Sequence, residues 1–348
     1  MAPISVFTGQ NGSGKTNLLE AVSLLVPGRG LRGAKFSELS RRGTQASGGW
    51  AVAATLNGPD GSFEIGTGTG DDSERRVFRL DGVAPRSQAE IGARLAAVWL
   101  TPQMDRLFTE AASGRRKFLD RLVVALEPGH ARQIAAFEAA SSQRNRLLAD
   151  DRADPDWLAG LEDSMARHAV AATATRGALI SRLNAALAGG AAAPFPAVTL
   201  ALDCPIASRL ADAPALSVED YLRLALRDAR RADMLRGASS YGPSRADLLI
   251  ADTATGRPAG LSSTGQQKSM LIGIVLGHAA LIAATRGVAP LLLLDEPLVH
   301  LDALKRQALF RALETQNFHA LLTGTDAEPF TSLEAAYYRV QEGRIEPA

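Results

Sequence analysis

The chain has 348 residues, 46% of them hydrophobic, which is enough to bury the core of one large or two ordinary domains. Its 38 basic and 37 acidic residues leave a formal charge of +1, excluding a bulk positive field for nucleic acid and a disordered acidic tail. Cys204 is the single cysteine, so a disulfide framework, a cysteine-based zinc finger and a thiolate-held iron–sulfur cluster are excluded.

Cys204 itself reads as a small buried hydrophobe. The first residues carry no basic stretch before their apolar one, unlike a signal peptide. The longest apolar run, 271–284, is broken by Gly273, Gly277 and His278 and falls short of the roughly 18 residues of a bilayer span. No membrane segment is expected, and the expected location is the cytoplasm.

In chain order, residues 4–7 read as a short buried strand and 17–25 as a helix opening directly after a glycine-rich turn. Residues 50–80 alternate in short apolar and polar pieces punctuated at 57–61, 66–72 and 81–82, the pattern of a small antiparallel meander. Phe118, Leu122, Ala125, Ile134 and Phe137 recur at helical spacing, with Pro128-Gly129 dividing two helices. Residues 157–187 predict another helix, 198–202 a strand and 218–235 a helix with one basic face. The block from about 109 to 236 therefore reads as a mainly helical insertion, without the sustained heptads of a long coiled coil.

The last third predicts strands at 247–251, 290–294 and 320–323 and helices at 265–285 and 303–315. The strand pieces at the two ends are each too few to bury both faces of a parallel core, so they are expected to share one sheet. The result is a discontinuous α/β domain, 1–108 with 237–348, interrupted by the helical arm 109–236.

Gly9-Gln10-Asn11-Gly12-Ser13-Gly14-Lys15-Thr16 matches G-x-x-x-x-G-K-[S/T] between a predicted strand and helix. Such a loop curls its N–H groups toward phosphate oxygens, Lys15 bridges the β- and γ-phosphates, and Thr16 offers its hydroxyl to Mg²⁺. The apolar run 290–294 ends in Asp295 and Glu296, as a central parallel strand does where it meets a ligand crevice. Asp295 is placed to hold Mg²⁺, and Glu296, one residue on, to orient or deprotonate an attacking water. Ser263-Thr264-Gly265-Gln266 opens a helix and reads either as a second anion-binding surface or as an ordinary cap.

Together these elements resemble the ATP-binding cassette superfamily, whose signature turn completes the nucleotide site of a partner protomer. By that resemblance Asp302 falls at the D-loop aspartate and Gln103, in Thr101-Pro102-Gln103-Met104-Asp105, at the glutamine loop, a Mg²⁺ and water contact. Within the superfamily the chain is similar to the RecF family of bacterial gap-repair ATPases. The motifs are 14–21, Leu100-Thr101-Pro102, 115–121, 241–248, the signature turn, Leu301-Asp302 and 323–326. The resemblance implies an ABC-type ATPase head with a mostly parallel central sheet, a small antiparallel part and a helical arm. It further implies ATP and Mg²⁺ as ligands, an ATP-dependent homodimer on double-stranded or gapped DNA, weak DNA-dependent hydrolysis, and RecR and RecO as partners in loading RecA.

One feature departs from the family: its members carry strand-forming sequence around a Phe-Arg-Asn-Tyr motif before the loop, whereas here the loop begins at Gly9. Gly324 stands where transport cassettes place a switch histidine, which agrees with RecF-like sequences and leaves the γ-phosphate sensor unassigned. Basic clusters at Arg29/Arg32/Lys35, Arg41/Arg42, Arg75/Arg76/Arg79, Arg115/Arg116/Lys117/Arg121 and Arg223/Arg227/Arg230/Arg231 are candidate phosphate contacts, Arg115 and Arg116 foremost, but for any single cluster a solvated helix face or intramolecular ion pairs is the favoured reading, as the near-neutral net charge also argues. His130, His168, His278, His300 and His319 show no metal spacing. Two rival readings share the cassette motifs: the energising subunit of a membrane transporter, and a non-catalytic DNA-binding scaffold.

Overall fold

The computed structural model describes residues 3–40, 49–58, 61–69, 76–150, 154–316 and 318–348. Arg41, Arg42 and Arg75, candidates above, lie outside the described residues. The elements begin with β1 (Ile4–Thr8), α1 (Lys15–Ser23), β2 (Trp50–Gly58), β3 (Gly61–Thr69), β4 (Val77–Leu80), α2 (Gln88–Arg94) and β5 (Ala97–Leu100). They continue with α3 (Ala112–Leu126), α4 (His130–Leu148), α5 (Pro155–Ala188), β6 (Val198–Asp203), α6 (Pro205–Asp212), α7 (Ala215–Asp228), α8 (Arg230–Arg236) and β7 (Asp247–Asp252). The last are α9 (Thr264–Arg286), β8 (Leu291–Leu294), α10 (Ala303–Thr315), β9 (His319–Gly324), β10 (Ala336–Gln341) and β11 (Arg344–Pro347).

The chain forms two compact units. The first comprises Met1–Arg106, Ala186–Ala197 and Ser262–Ala348, and the second Leu107–Ala185 with Val198–Leu261. The core of the first is a six-stranded sheet in the order β11-β10-β1-β9-β8-β5. Every pairing in it is parallel except the terminal hairpin β10-β11. β1 is buried along its whole length and β8 nearly so, which explains why both read as unbroken apolar runs rather than alternating ones.

α9 is long and apolar enough by length and composition to span a bilayer, longer than the sequence reading allows, but 72% of its most apolar window is buried inside the protein. The glycines that break its apolar run serve packing. A Cβ on Gly277 would lie 2.5 Å from Leu187 Cδ2, and one on Gly273 would lie 3.4 Å from Phe195 Cβ.

The meander is a separate antiparallel sheet, β2-β3-β4, with Gly66 opposite Arg79 and Thr67 opposite Phe78. Arg76, just before β4, turns inward. Its guanidinium donates to the carbonyls of Leu24, Val26 and Gly28 beyond α1 and stacks 4.1 Å over Phe78. Burial lowers its pKa to about 10.

The second unit is mainly helical around Phe137, Met165, Ala169, Val170, Leu222 and Leu226, with Cys204 free and buried beside them. It corrects the sequence reading in two places, the first being the 218–235 helix, which is divided at Ala229 into α7 and α8. The strand at 247–252 does not join the central sheet; β7 pairs antiparallel with β6 over Val198↔Asp252 to Asp203↔Asp247. That pairing draws 237–261 into the helical unit, where the sequence alone assigns them to the discontinuous head. Inside this unit Arg144 is fully buried and donates to Glu162 at 2.9 Å, Asp233 at 2.8 Å and the Leu226 carbonyl at 2.6 Å.

Candidate functional site

The four parallel neighbours β1, β9, β8 and β5 all release their chains at one edge of the sheet. Thr8 pairs with Gly324, and Leu294 pairs with both Leu322 and Leu100, so the segments that follow emerge together. This carboxyl edge is where open α/β sheets bind ligands. It collects the loop Gly9–Thr16, Thr323, the pair Asp295 and Glu296, and the 3₁₀ turn Pro102–Arg106 that carries Gln103.

The loop is held from two sides. A Cβ at Gly9 would lie 2.2 Å from the Val340 carbonyl, so only glycine lets the loop pass β10 this closely. Gly14 precedes α1 at φ 109°, a left-handed conformation. From the C-terminal hairpin, Gly343 N–H donates to the Ser13 carbonyl at 2.9 Å. Lys15 is buried, and its ammonium spans the loop, donating to the Gly9 carbonyl at 2.6 Å and the Gln10 carbonyl at 3.0 Å. Ser13 Oγ is buried without a hydrogen-bond partner, an orphaned group within the glycine loop.

Opposite the loop, Asp295 Oδ1 accepts from Thr16 at 3.1 Å and from Thr323 at 2.7 Å. Glu296 follows at φ 49°, rare for a side chain with a Cβ, and its N–H donates to Thr323 Oγ1 at 3.0 Å. That conformation turns the chain out of β8 and leaves Glu296 half-buried beside a buried Asp295. Among the described residues no cluster of three or more His, Cys, Asp or Glu side chains could hold a metal. A hard cation here would therefore draw on one carboxylate, the Thr16 hydroxyl and the oxygens of its own ligand, a donor set that suits Mg²⁺.

Ser263 is the N-cap of α9. Its hydroxyl accepts from Gln266 N–H at 3.4 Å, while its own N–H donates to Gln266 Oε1 at 3.0 Å, a complete capping box. The turn caps the helix, and it leaves Ser263, Thr264 and Gln266 exposed at the N-terminal end of a 23-residue helix, with Gly265 half-exposed. Asp302 caps α10, accepting from Lys305 N–H at 2.9 Å, and that bond holds its carboxyl below the ordinary range. Gln103 is exposed on its turn. Thr323 and the Gly343 turn hold the site together, although the sequence reading assigned neither a site role. The signals for Thr323 were its place in the family motif 323–326 and at the end of a predicted strand.

The basic candidates fare differently. Arg115 forks onto Asp247 with bonds of 2.7 and 2.8 Å, and Arg116 donates to the Ala246 carbonyl at 2.8 Å. Arg121 lies over the Phe118 ring. Arg223 is engaged by Asp163, Asp220 and Glu219, and Arg230 by Glu162. Arg29, Arg32, Lys35, Arg79, Lys117, Arg227 and Arg231 are exposed.

Residues 4–324 match a family model described as AAA domain, putative AbiEii toxin, Type IV TA system. The "DNA replication and repair protein RecF" of Mesorhizobium japonicum is 45% identical over 348 residues, covering 98% of this chain and 91% of that protein. The protein of the same name from Agrobacterium fabrum is 45% identical over 345 residues, with the same coverage. The chain belongs to the RecF family. A solved structure of the recombination mediator protein RecF with ATP, in the RecFOR pathway, shares the fold with TM-score 0.85 at 21% identity, over 99% of this chain and 91% of that one. The SMC head bound to the C-winged helix domain of ScpA is more distant, at TM-score 0.52 and 14% identity over 99% and 89% of the two chains. The RecF-family resemblance carried by the motifs is thus matched by whole-chain similarity, and RecF relatives are named for DNA replication and repair rather than for transport.

Proposed function

We propose that this RecF-family chain is an ATP-binding and ATP-hydrolysing protein of DNA replication and recombinational gap repair. Its ATPase head would correspond to the first unit, 1–106, 186–197 and 262–348, and its arm to the second, 107–185 with 198–261. The observation that carries the reading is the junction at Asp295, where Thr16 of the glycine loop and Thr323 both donate to one buried carboxylate.

In this reading the triphosphate lies along Gly9, Gln10, Asn11, Gly12, Ser13, Gly14, Lys15 and Thr16. The Lys15 ammonium exchanges two neutral carbonyl partners for phosphate oxygens, a stronger charge-assisted contact. Thr16 and Asp295, joined by Gln103 as the family resemblance implies, would hold Mg²⁺, which would supply charge neutralisation to the triphosphate. Glu296 orients and deprotonates the water that attacks the γ-phosphorus, and ADP leaves. The backbone bond from Glu296 to Thr323 fixes where that carboxylate starts.

Ser263, Thr264, Gly265, Gln266 and Asp302 form the surface that receives the nucleotide of a second copy. ATP would then act as a clamp, because its γ-phosphate gives two surfaces one shared anion and so favours the dimer over the free protomers. The dimer binds double-stranded or gapped DNA, hydrolysis is weak and DNA-dependent, and RecR- and RecO-type mediators act with it in loading RecA, within the SOS response. The location that suits these partners is the cytoplasm. Lys15→Ala tests the nucleotide half of this reading: titration with a fluorescent ATP analogue shows saturable binding in the wild type and none in the variant. Equal binding by both would overturn it.

A further inference from the structure

One ion pair in the first unit joins two segments that the nucleotide reading treats separately. Lys268 Nζ donates to Asp105 Oδ1 at 2.7 Å. The Lys268 side chain is 1% exposed and that of Asp105 25% exposed. Asp105 sits two residues after Gln103 in the same 3₁₀ turn, and Lys268 two residues after Gln266 at the start of α9. The ends of both segments are exposed, at Gln103 on one and at Ser263, Thr264 and Gln266 on the other, while the lysine at the join is buried.

The asymmetry of burial decides how stiff this join is. A buried ammonium cannot give up its counter-charge without leaving an uncompensated ion in a water-poor interior, so Lys268 and Asp105 must move together. The second lysine near the same turn is a weaker tie. Lys305 Nζ is 3.4 Å from the Gly265 carbonyl and 3.4 Å from Asp302 Oδ2, and both charged side chains are substantially solvated.

We propose that the Asp105–Lys268 pair is a positioning link that makes the Gln103 turn and the Ser263–Gln266 turn of one protomer respond to nucleotide as a unit. The inference rests on the reading that Gln103 contacts the protomer's own nucleotide and that the Ser263–Gln266 turn receives the partner's. When Gln103 is drawn toward bound nucleotide, Asp105 shifts with its turn, Lys268 follows, and the capped head of α9 is held more tightly before a second copy arrives. A protomer loaded with nucleotide thereby presents a stiffer docking turn than an unloaded one.

The test is hydrogen–deuterium exchange on the full chain, diluted until light scattering of the same samples shows monomer, with and without magnesium and the non-hydrolysable ATP analogue AMP-PNP. In the wild type the analogue slows exchange across 9–16 and also across 262–268, the latter by at least about fivefold, the low end of ordinary coupling between sites. Lys268→Met keeps the volume and leaves Asp105 its solvent exposure; it retains protection of 9–16 and loses that of 262–268. Lys268→Arg retains both, and Asp105→Asn, if it folds, behaves as Lys268→Met. Full protection of 262–268 in Lys268→Met, or its loss in Lys268→Arg, would overturn the link. Absence of protection at 9–16 in the wild type would instead overturn the nucleotide reading on which the link stands.

Discussion

The Thr323 hydroxyl donates to Asp295 Oδ1 at 2.7 Å, with both residues buried at the carboxyl edge of the sheet. Through the same oxygen it accepts from Glu296 N–H, so one side chain on β9 sets both acidic residues at the end of β8. A hydrogen bond to a charged group contributes about 1.5–3 kcal/mol, so Thr323→Val is expected to lower ATP turnover by roughly tenfold or more. Thr323→Ser restores most of it. Steady-state phosphate release from the three proteins checks this, and equal rates for wild type and Thr323→Val would count against the assignment.

Glu296→Gln keeps the shape and the backbone bond but cannot accept a proton. General-base catalysis contributes about 10²–10⁴-fold, so phosphate release is expected to fall by at least about 100-fold with nucleotide affinity little changed. Dimers formed by this variant with ATP should outlast those of the wild type after dilution. Dimers that fall apart at the wild-type rate would mean that Glu296 is not the base.

In the helical unit the two classes of ion pair separate cleanly. Arg144→Met leaves Glu162 and Asp233 buried without one of their cations and is expected to reduce unfolding stability by about 3–5 kcal/mol. Arg167→Met breaks an exposed helical pair with Asp163 and should change it by about 0–1 kcal/mol. Urea denaturation of the two variants beside the wild type measures both. Comparable losses would contradict the ranking.

Arg115, the leading DNA contact by sequence, carries a different prediction now that its fork onto Asp247 is known. The two hydrogen bonds from Arg115 hold the Asp247 carboxyl below the ordinary carboxylate range. A carboxylate with a depressed folded pKa stabilises the fold above its unfolded pKa, near 3.9, and loses that contribution as pH falls through the lower folded value. Asp247→Asn should therefore be less stable than wild type at neutral pH, with the gap closing below about pH 4. Arg115→Ala should lower stability while leaving the salt dependence of DNA binding unchanged. A reduced salt slope would return Arg115 to the DNA surface.

Much of the site was legible because its parts are local. The loop 9–16 and the acidic strand end 295–296 each combine a distinctive spacing with a strand boundary, and the structure places them across one junction. What was hidden depends on pairing between distant segments. β5 is four residues, too short for an alternation signal, and its place at the edge beside β8 follows only from the fold. The 247–252 strand looked like part of the central sheet because its composition cannot say that β6 is its partner. Arg115 and Arg76 could be read as phosphate contacts because their acceptors lie far along the chain or on backbone carbonyls. Glu296 takes its left-handed backbone from the turn out of β8, and no residue type at that position announces it.

If ATP joins two copies of this chain through the Lys15 loop of one and the Ser263–Gln266 turn of the other, sedimentation velocity with magnesium and ATP will show it, with Glu296→Gln used to slow release. The expected result is a shift from the 36.6 kDa protomer to twice that mass, abolished by Lys15→Ala and by a Gly265→Trp block of the receiving turn. A species that stays at the protomer mass under saturating nucleotide, with or without gapped DNA, would contradict it.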